Sequence, residues 1–295
     1  MNPSVRQFLT DVKAAARIGH PASLETALQG LHQFPEVAAN APFGEDFLQQ
    51  VILPLGRSLA ASRLDSKVFQ LYVKSPHAAW RALAAVACAV RYFDAPDAQR
   101  PSLDRLAADT RPDVRRALAM GLSSNAVGSH PELSAALHAW LTSDSPRLQQ
   151  TAVSVIAHLT PEHIRSQLPA LTPLIASPDP ELRAALAEAL IQAAQKDLSS
   201  KVLSLLQEWS LHDFPNSWVI TRVLSGSWAA AHTEPVLDIL YSLARSGADE
   251  GHIATTLKAL IRHGAGDAVH RELDRWRRQD DPTLRSLAER LTHQP

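Results

Sequence analysis

The chain has 295 residues, of which alanine and leucine supply 88, whereas aromatic residues make up 5% and glycine occupies only 11 positions. Alanine and leucine favour helices while strands draw on β-branched and aromatic residues, which argues against an all-β fold, and a 45% hydrophobic content argues against disorder. With 29 basic and 30 acidic side chains the net charge is −1, without the basic excess of a dedicated nucleic-acid binder.

No apolar run reaches the ~20 residues that a membrane helix needs. The first 19 residues, MNPSVRQFLTDVKAAARIG, mix polar and apolar residues without a signal-peptide core, so a cytoplasmic protein without a membrane partner is expected. Cys88 is the single cysteine, which excludes an intrachain disulfide.

In chain order, the pattern predicts helices near 3–18, 22–34 and 45–61, with Pro35 to Pro42 as a loop. Residues 1–75 are read as an irregular helical N-terminal cap and 76–295 as one continuous repeat array. From residue 75 onward a phrase recurs: SPHAAWRALAAVA (75–87), TRPDVRRALAMGL (110–122), SDSPRLQQTAVSVI (143–156), SPDPELRAALAEAL (177–190) and DDPTLRSLAERL (280–291). Each copy is a turn rich in Asp, Ser or Pro, then an apolar residue, then Arg or Gln, then an apolar helix. The anchors Arg81, Arg115, Gln149, Arg183 and Arg285 stand 34, 34, 34 and 102 residues apart, which places two further anchors at Ser217 and Gly251. Seven copies of one 34-residue unit signal a solenoid.

Each unit reads as a helix A followed by a helix B. The A helices are expected at 131–141, 162–175, 199–210, 234–244 and 267–278. Pro112, Pro146, Pro180 and Pro282 open B helices, where a missing N–H costs nothing, and Asp179 and Asp281 are expected N-caps. Two B-helix columns are expected as core: Leu118, Ala152, Leu186, Ile220, Ala254, Ala288, and, three residues on, Gly121, Val155, Ala189, Val223, Leu257, Leu291.

These residues resemble HEAT repeats, in particular the short bacterial HEAT-like class; the carriers are Pro112–Leu118, Pro180–Leu186 and Pro282–Leu287. The resemblance implies an all-α fold, an α-solenoid of about seven 34-residue repeats coiled as a right-handed superhelix. It leaves function open among scaffolds, adaptors, chromophore-lyase subunits and DNA alkylation-repair glycosylases.

The Arg row could meet phosphates, or each Arg could bond turn carbonyls or a turn Asp and form an internal ladder, which the neighbouring Asp179 and Asp281 favour. Trp140, Trp209 and Trp276 close every second A helix, with Leu174 and Leu243 between them, and so read as packing elements. Trp80 reads as structural as well.

Trp218 differs. Its column reads Arg116, Gln150, Ala184, Trp218, His252, Ser286, which should face solvent. The column four residues on reads Met120, Ser154, Glu188, Arg222, Thr256, Arg290. Trp218 and Arg222 are therefore i, i+4 neighbours on one face, and Trp and Arg are enriched at binding hot spots. The surrounding stretch 211–233, with Phe214, Trp228 and His232, is the least repeat-like part of the array.

The expected function is a non-enzymatic scaffold or adaptor that binds a protein partner along successive B helices through Trp218 and Arg222, flanked by Arg116, Gln150, Glu188 and His252. Alternatives are a nucleic-acid binder resembling the alkylation-repair glycosylases, for which Trp140 and Asp144 offer only a superficial match, and an accessory subunit of an enzyme such as a chromophore lyase. The 13 histidines form no HExxH or HxxxH motif, and no Gly-rich phosphate loop or nucleophile elbow occurs, so no catalytic residue, metal or cofactor is expected.

Overall fold

Proline sets the rhythm of the helices. In the computed structural model, which describes residues 3–62, 64–126, 130–211 and 217–292, proline is the first residue of the helices that begin at 112, 131, 146, 161, 180 and 282. All the regular elements among the described residues are helical. The chain divides into two compact units, Met1–Leu159 and Thr160–Pro295.

The first unit holds α1 (Pro3–Ile18), α2 (Pro21–Gln29), α3 (Pro35–Ala38), α4 (Glu45–Phe47), α5 (Leu53–Ala60), α6 (Ser66–Val73), α7 (Ala78–Tyr92), α8 (Pro96–Ala107), α9 (Pro112–Ser123), α10 (Pro131–Leu141) and α11 (Pro146–His158). Helices α5, α7, α9 and α11 pack side by side as one layer. Helices α6, α8 and α10 back them as a second layer, and α1 packs on α2 and α5. Helix α7 is the centre: every residue from Ala82 to Ala89 is 0% exposed. Such close approach requires small residues. A Cβ on Gly56 would lie 2.4 Å from Val86 Cβ, and one on Gly121 would lie 2.8 Å from Ala89 Cβ and 3.1 Å from the Val86 Cα.

The second unit holds α12 (Pro161–Gln167), α13 (Pro180–Ala193), α14 (Ser199–Ser210), α15 (Ser217–Leu224), α16 (Thr233–Arg245), α17 (Glu250–Leu260), α18 (Gly266–Arg277) and α19 (Pro282–Thr292). Within it α13, α15, α17 and α19 form one layer, while α14, α16 and α18 form the other. Three of its turns use left-handed backbone: Asp197 (φ +62°) between α13 and α14, Gly247 (φ +77°) between α16 and α17, and Gly264 (φ +96°) between α17 and α18. Gly and Asp are among the residues that tolerate this region best.

The expected helix near 22–34 is α only to Gln29 and continues as 3₁₀ helix over Gly30–Gln33, and two further element boundaries need correction. The stretch 162–175 is not one α-helix: α12 ends at Gln167, and Leu168–Ala176 continues as 3₁₀ helix. Pro169 and Pro173 remove N–H donors from the α ladder there. The 35–42 segment is not all loop either, because Pro35 opens α3 in the way that proline opens helices elsewhere in the chain. The core columns are buried as expected at Leu118, Ala152, Leu186, Ile220 and Ala288, but Ala254 is half-exposed, and the Leu291 side chain lies outside the described residues.

Candidate functional site

The 34-residue register is written in hydrogen bonds. Each anchor side chain reaches the carbonyl six residues before it, in the turn that precedes its own B helix. Arg81 Nη1 donates to Ser75 O (2.9 Å), Arg115 Nη1 to Asp109 O (2.7 Å), Gln149 Nε2 to Ser143 O (2.8 Å), Arg183 Nη1 to Ser177 O (3.0 Å) and Arg285 Nη2 to Gln279 O (3.2 Å). A neutral glutamine fills the position as well as an arginine, so the anchor needs a long donor rather than a charge. Arg81 also forms a forked pair with Asp109 (2.6 and 3.1 Å), the turn Asp of the following repeat. Asp179 and Asp281 instead cap their own helices by accepting from Glu181 N and Thr283 N. Ser217 and Gly251, at the remaining anchor positions, are too short for this bond.

The periodic tryptophans are core. Trp140, Trp209 and Trp276 are each no more than 1% exposed. Their indole N–H groups donate to Asp104 Oδ1 (2.7 Å), Thr172 Oγ1 (3.2 Å) and Glu272 Oε1. A buried indole requires such an acceptor. Cys88 lies on α7, wholly buried, and burial pushes its thiol up to about 12, so it is no nucleophile at neutral pH. Among the described residues no group of three or more His, Cys, Asp or Glu side chains is arranged to hold a metal ion.

The expected partner-binding residues divide between the units. Arg116 on α9 and Gln150 on α11 belong to the first. Arg116 is exposed, and Gln150 is half-buried with its Oε1 accepting from Arg115 Nη2 (2.8 Å). Glu188 on α13, Trp218 and Arg222 on α15 and His252 on α17 belong to the second, on three adjacent helices of one layer. Helix α15 buries Val219, Ile220, Thr221, Val223 and Leu224. Its opposite side leaves Trp218 half-buried and Arg222 exposed, with no hydrogen bond or ion pair at either side chain among the described residues. Glu188 is exposed and accepts from Gln192 Nε2 (3.1 Å). His252 is half-buried; its Nδ1 is shielded from solvent without a hydrogen bond, and the nearest carboxylate, Asp249, stands 3.9 Å away.

One member of the second polar column is not on the surface. Thr256 is 0% exposed and donates to Thr221 O (3.0 Å), which pins the register of α17 against α15. In the unusual stretch 211–233, Trp228 is half-buried beside His232 at 6.2 Å between ring centroids, while Phe214 lies outside the described residues.

Two features escaped sequence reasoning. The first is a clamp on the 40–43 turn. Arg111 donates to Asn40 O (3.0 Å) and Ala41 O (2.8 Å) and pairs with Asp113 (2.8 Å), whose Oδ2 also accepts from Phe43 N (3.0 Å). Burial alone would raise the Asp113 carboxyl, but the hydrogen bonds from Arg111 and Phe43 and the Arg111 charge outweigh it and hold it below the usual carboxylate range. The partners stand 70 or 71 residues apart, and no local pattern announces them.

The second is a basic cleft of about 420 Å³ between α1 and α5. Lys13, Arg17 and Arg57 line it, with no acidic residue in its wall. The i, i+4 spacing of Lys13 and Arg17 on α1 was the available signal.

No family model matches this chain, and no curated protein matches it. Among solved structures, the crystal structure of an engineered protein from the Northeast Structural Genomics Consortium is similar at 17% identity over 99% of this chain and 97% of that one, with a TM-score of 0.28. A likeness of that degree carries no argument about fold or function.

Proposed function

We propose that this chain is a non-enzymatic scaffold or adaptor, an α-solenoid of about seven HEAT-like repeats, and that it binds a protein partner on the B-helix face centred on Trp218 and Arg222. The observation that carries the reading is the contrast between tryptophans. Trp140, Trp209 and Trp276 are buried with their N–H groups bonded, whereas Trp218 is half-exposed beside an exposed, unpaired Arg222. A large aromatic and a guanidinium held by a rigid helix lose little entropy on binding, which is why they dominate interface energetics. Glu188 and His252 on the neighbouring helices supply a polar rim. Arg116 and Gln150 hold the corresponding positions on the first unit.

The test is affinity capture from the source lysate, with and without nuclease, beside a Trp218→Glu variant. A protein partner that survives nuclease and disappears with the variant supports the reading; a partner retained by the variant overturns the site.

A second reading, binding to a nucleic-acid backbone, draws support from the unpaired Lys13, Arg17 and Arg57 around their cleft. It predicts capture lost on nuclease treatment and binding to a DNA or RNA fragment that weakens steeply with salt.

A further inference from the structure

The position just before the Arg anchor is core in three later copies, where Val114, Leu182 and Leu284 are each 0% exposed, and half-buried at Leu148 before Gln149. In the first copy that position is Trp80, and it is half-exposed. It lines a groove of about 360 Å³ together with residues of α2 and α6 and of the turn before α7. Tyr72 packs against Trp80 with ring centroids 5.8 Å apart and planes inclined by 49°. His32 and His77 meet edge to face at 6.2 Å on the same rim. Leu71 lies at the lip and is 71% exposed, which is unusual for a leucine on a packed helix. Glu25 is the one Asp, Glu, Lys or Arg among the residues that line the groove.

The polar groups here are unspent. Neither the Trp80 indole N–H, nor the Tyr72 hydroxyl, nor the Glu25 carboxylate makes a hydrogen bond or ion pair among the described residues. The three core tryptophans all make theirs. Two aromatic faces inclined to one another, with a free carboxylate at the edge and no lysine or arginine in the wall, form an environment that attracts a flat organic cation. A guanidinium suits it better than an ammonium, because it can stack on a ring while its N–H fork meets a carboxylate. The exposed leucine beside the aromatic pair asks for an apolar neighbour on the same ligand.

We infer that this groove in the first unit is a binding site for the arginine side chain of a peptide segment. The guanidinium stacks on Trp80 and Tyr72 and pairs with Glu25, and an adjacent apolar residue covers Leu71. The site is separate from the Trp218 face and does not depend on it.

The experiment is fluorescence polarisation with the full chain and three labelled peptides, identical except for Arg, Lys or citrulline beside a leucine. The Arg peptide is expected to bind, and the citrulline peptide to bind about tenfold more weakly, the scale of one charge-assisted contact. Glu25→Gln alters an exposed side chain, so folding is not at stake. That variant should bind the Arg and citrulline peptides alike, Trp80→Phe should weaken the Arg peptide, and Trp218→Glu should leave it unchanged. The inference is overturned by equal binding of Arg and citrulline peptides to the wild type, by discrimination that survives Glu25→Gln, or by no binding at millimolar protein. Free agmatine competing as well as the Arg peptide itself would assign the groove to a small organic cation and overturn the peptide part. A Lys peptide binding as tightly as the Arg peptide would overturn the stacking argument.

Discussion

The two units use similar helices but dispose of their polar groups differently. In the first, the polar side chains along α7 to α11 that join one helix pair to the next are consumed by structure, and the unspent groups sit nearer the start of the chain, around the Trp80 groove and the Lys13–Arg57 cleft. Arg81 is forked onto Asp109, Arg115 bridges the Asp109 carbonyl and Gln150, Thr151 donates to Ala107 O (2.7 Å), and Arg91 caps the end of α5 through Ala60 O and Leu59 O. In the second, three buried polar atoms, Arg183 Nε, Trp228 Nε1 and His252 Nδ1, have no hydrogen bond, and these are the ones found so among the described residues. Buried donors are normally satisfied. The contrast follows the sequence: the repeat is most regular where α7 and α9 meet through Ala and Gly, and least regular from 211 to 233, where Trp218 and Trp228 sit. Regular repetition spends its side chains on the next repeat, whereas a departure from it leaves side chains free for something else.

The comparison is tested first where its effect is largest, at a side chain wholly committed to the fold. Trp140→Ala removes a 1%-exposed indole and orphans its bond to Asp104. A loss of about 3–5 kcal/mol in chemical denaturation is expected. A loss below about 1 kcal/mol would mean that the periodic tryptophans are not structural and would remove the contrast with Trp218.

Next comes the clamp. Asp113→Ala leaves Arg111 without its partner and Phe43 N–H without an acceptor, and breaking a buried pair of this kind costs about 3 kcal/mol. The sign of the pH dependence follows from the lowered Asp113 carboxyl. Its stabilisation is fully present above the ordinary carboxylate pKa and is lost as pH falls through the folded-state value. The gap in unfolding free energy between wild type and Asp113→Ala should therefore be widest at neutral pH and narrow in acid. A gap that stays constant down to strongly acidic pH would show that the carboxylate charge contributes nothing.

Gly121→Val tests the close packing of the first unit directly. Its Cβ alone would fall 2.8 Å from Ala89 Cβ and 3.1 Å from the Val86 Cα, so α7 and α9 must separate. Overpacking of this sort costs about 1–3 kcal/mol. A neutral result would mean that the small-residue stripe is not what holds the helices together.

Much of the helical layout was legible because proline and tryptophan mark positions by local rules. Pro112, Pro146, Pro180 and Pro282 start their helices as the missing N–H dictates, and α10 and α14 run from Pro131 to Leu141 and from Ser199 to Ser210 as the apolar spacing predicts. The misses have physical reasons. Helix α8 begins PDAQRPS, too polar and proline-rich to show an apolar stripe, and it is buried through Ser102, Leu103, Leu106 and Ala107 alone. Pro169 and Pro173 shift a helix to 3₁₀ without disturbing its apolar pattern, so period alone misassigns it. The Arg111–Asp113 clamp and the exposure of Trp80 depend on which segments meet in space, and no one-dimensional spacing encodes that. Of the candidate surface, the sequence placed the Trp218–Arg222 pair on the exposed side of α15 but set Thr256 in the same column, although it is buried against Thr221.

The smallest stability effect belongs to Trp218→Ala, and it is the sharpest use of the comparison. Trp218 sits in the first turn of the short helix α15, half-exposed, while the helix holds its place through Val219, Ile220, Val223 and Leu224 on the other side and through Thr221, whose carbonyl accepts from Thr256. Truncating the indole leaves that side intact, so the unfolding free energy should change by about 1 kcal/mol or less, against the several expected for Trp140→Ala. Partner affinity, measured by calorimetry once capture has identified the partner, should fall by at least ~2 kcal/mol, the scale of a hot spot. The two numbers must move apart. If stability falls as far as for Trp140 while affinity falls only in proportion to the unfolded fraction, Trp218 is a fourth packing tryptophan and the second unit is no freer than the first. If affinity falls with stability preserved, the irregular repeat is where this chain keeps its binding chemistry.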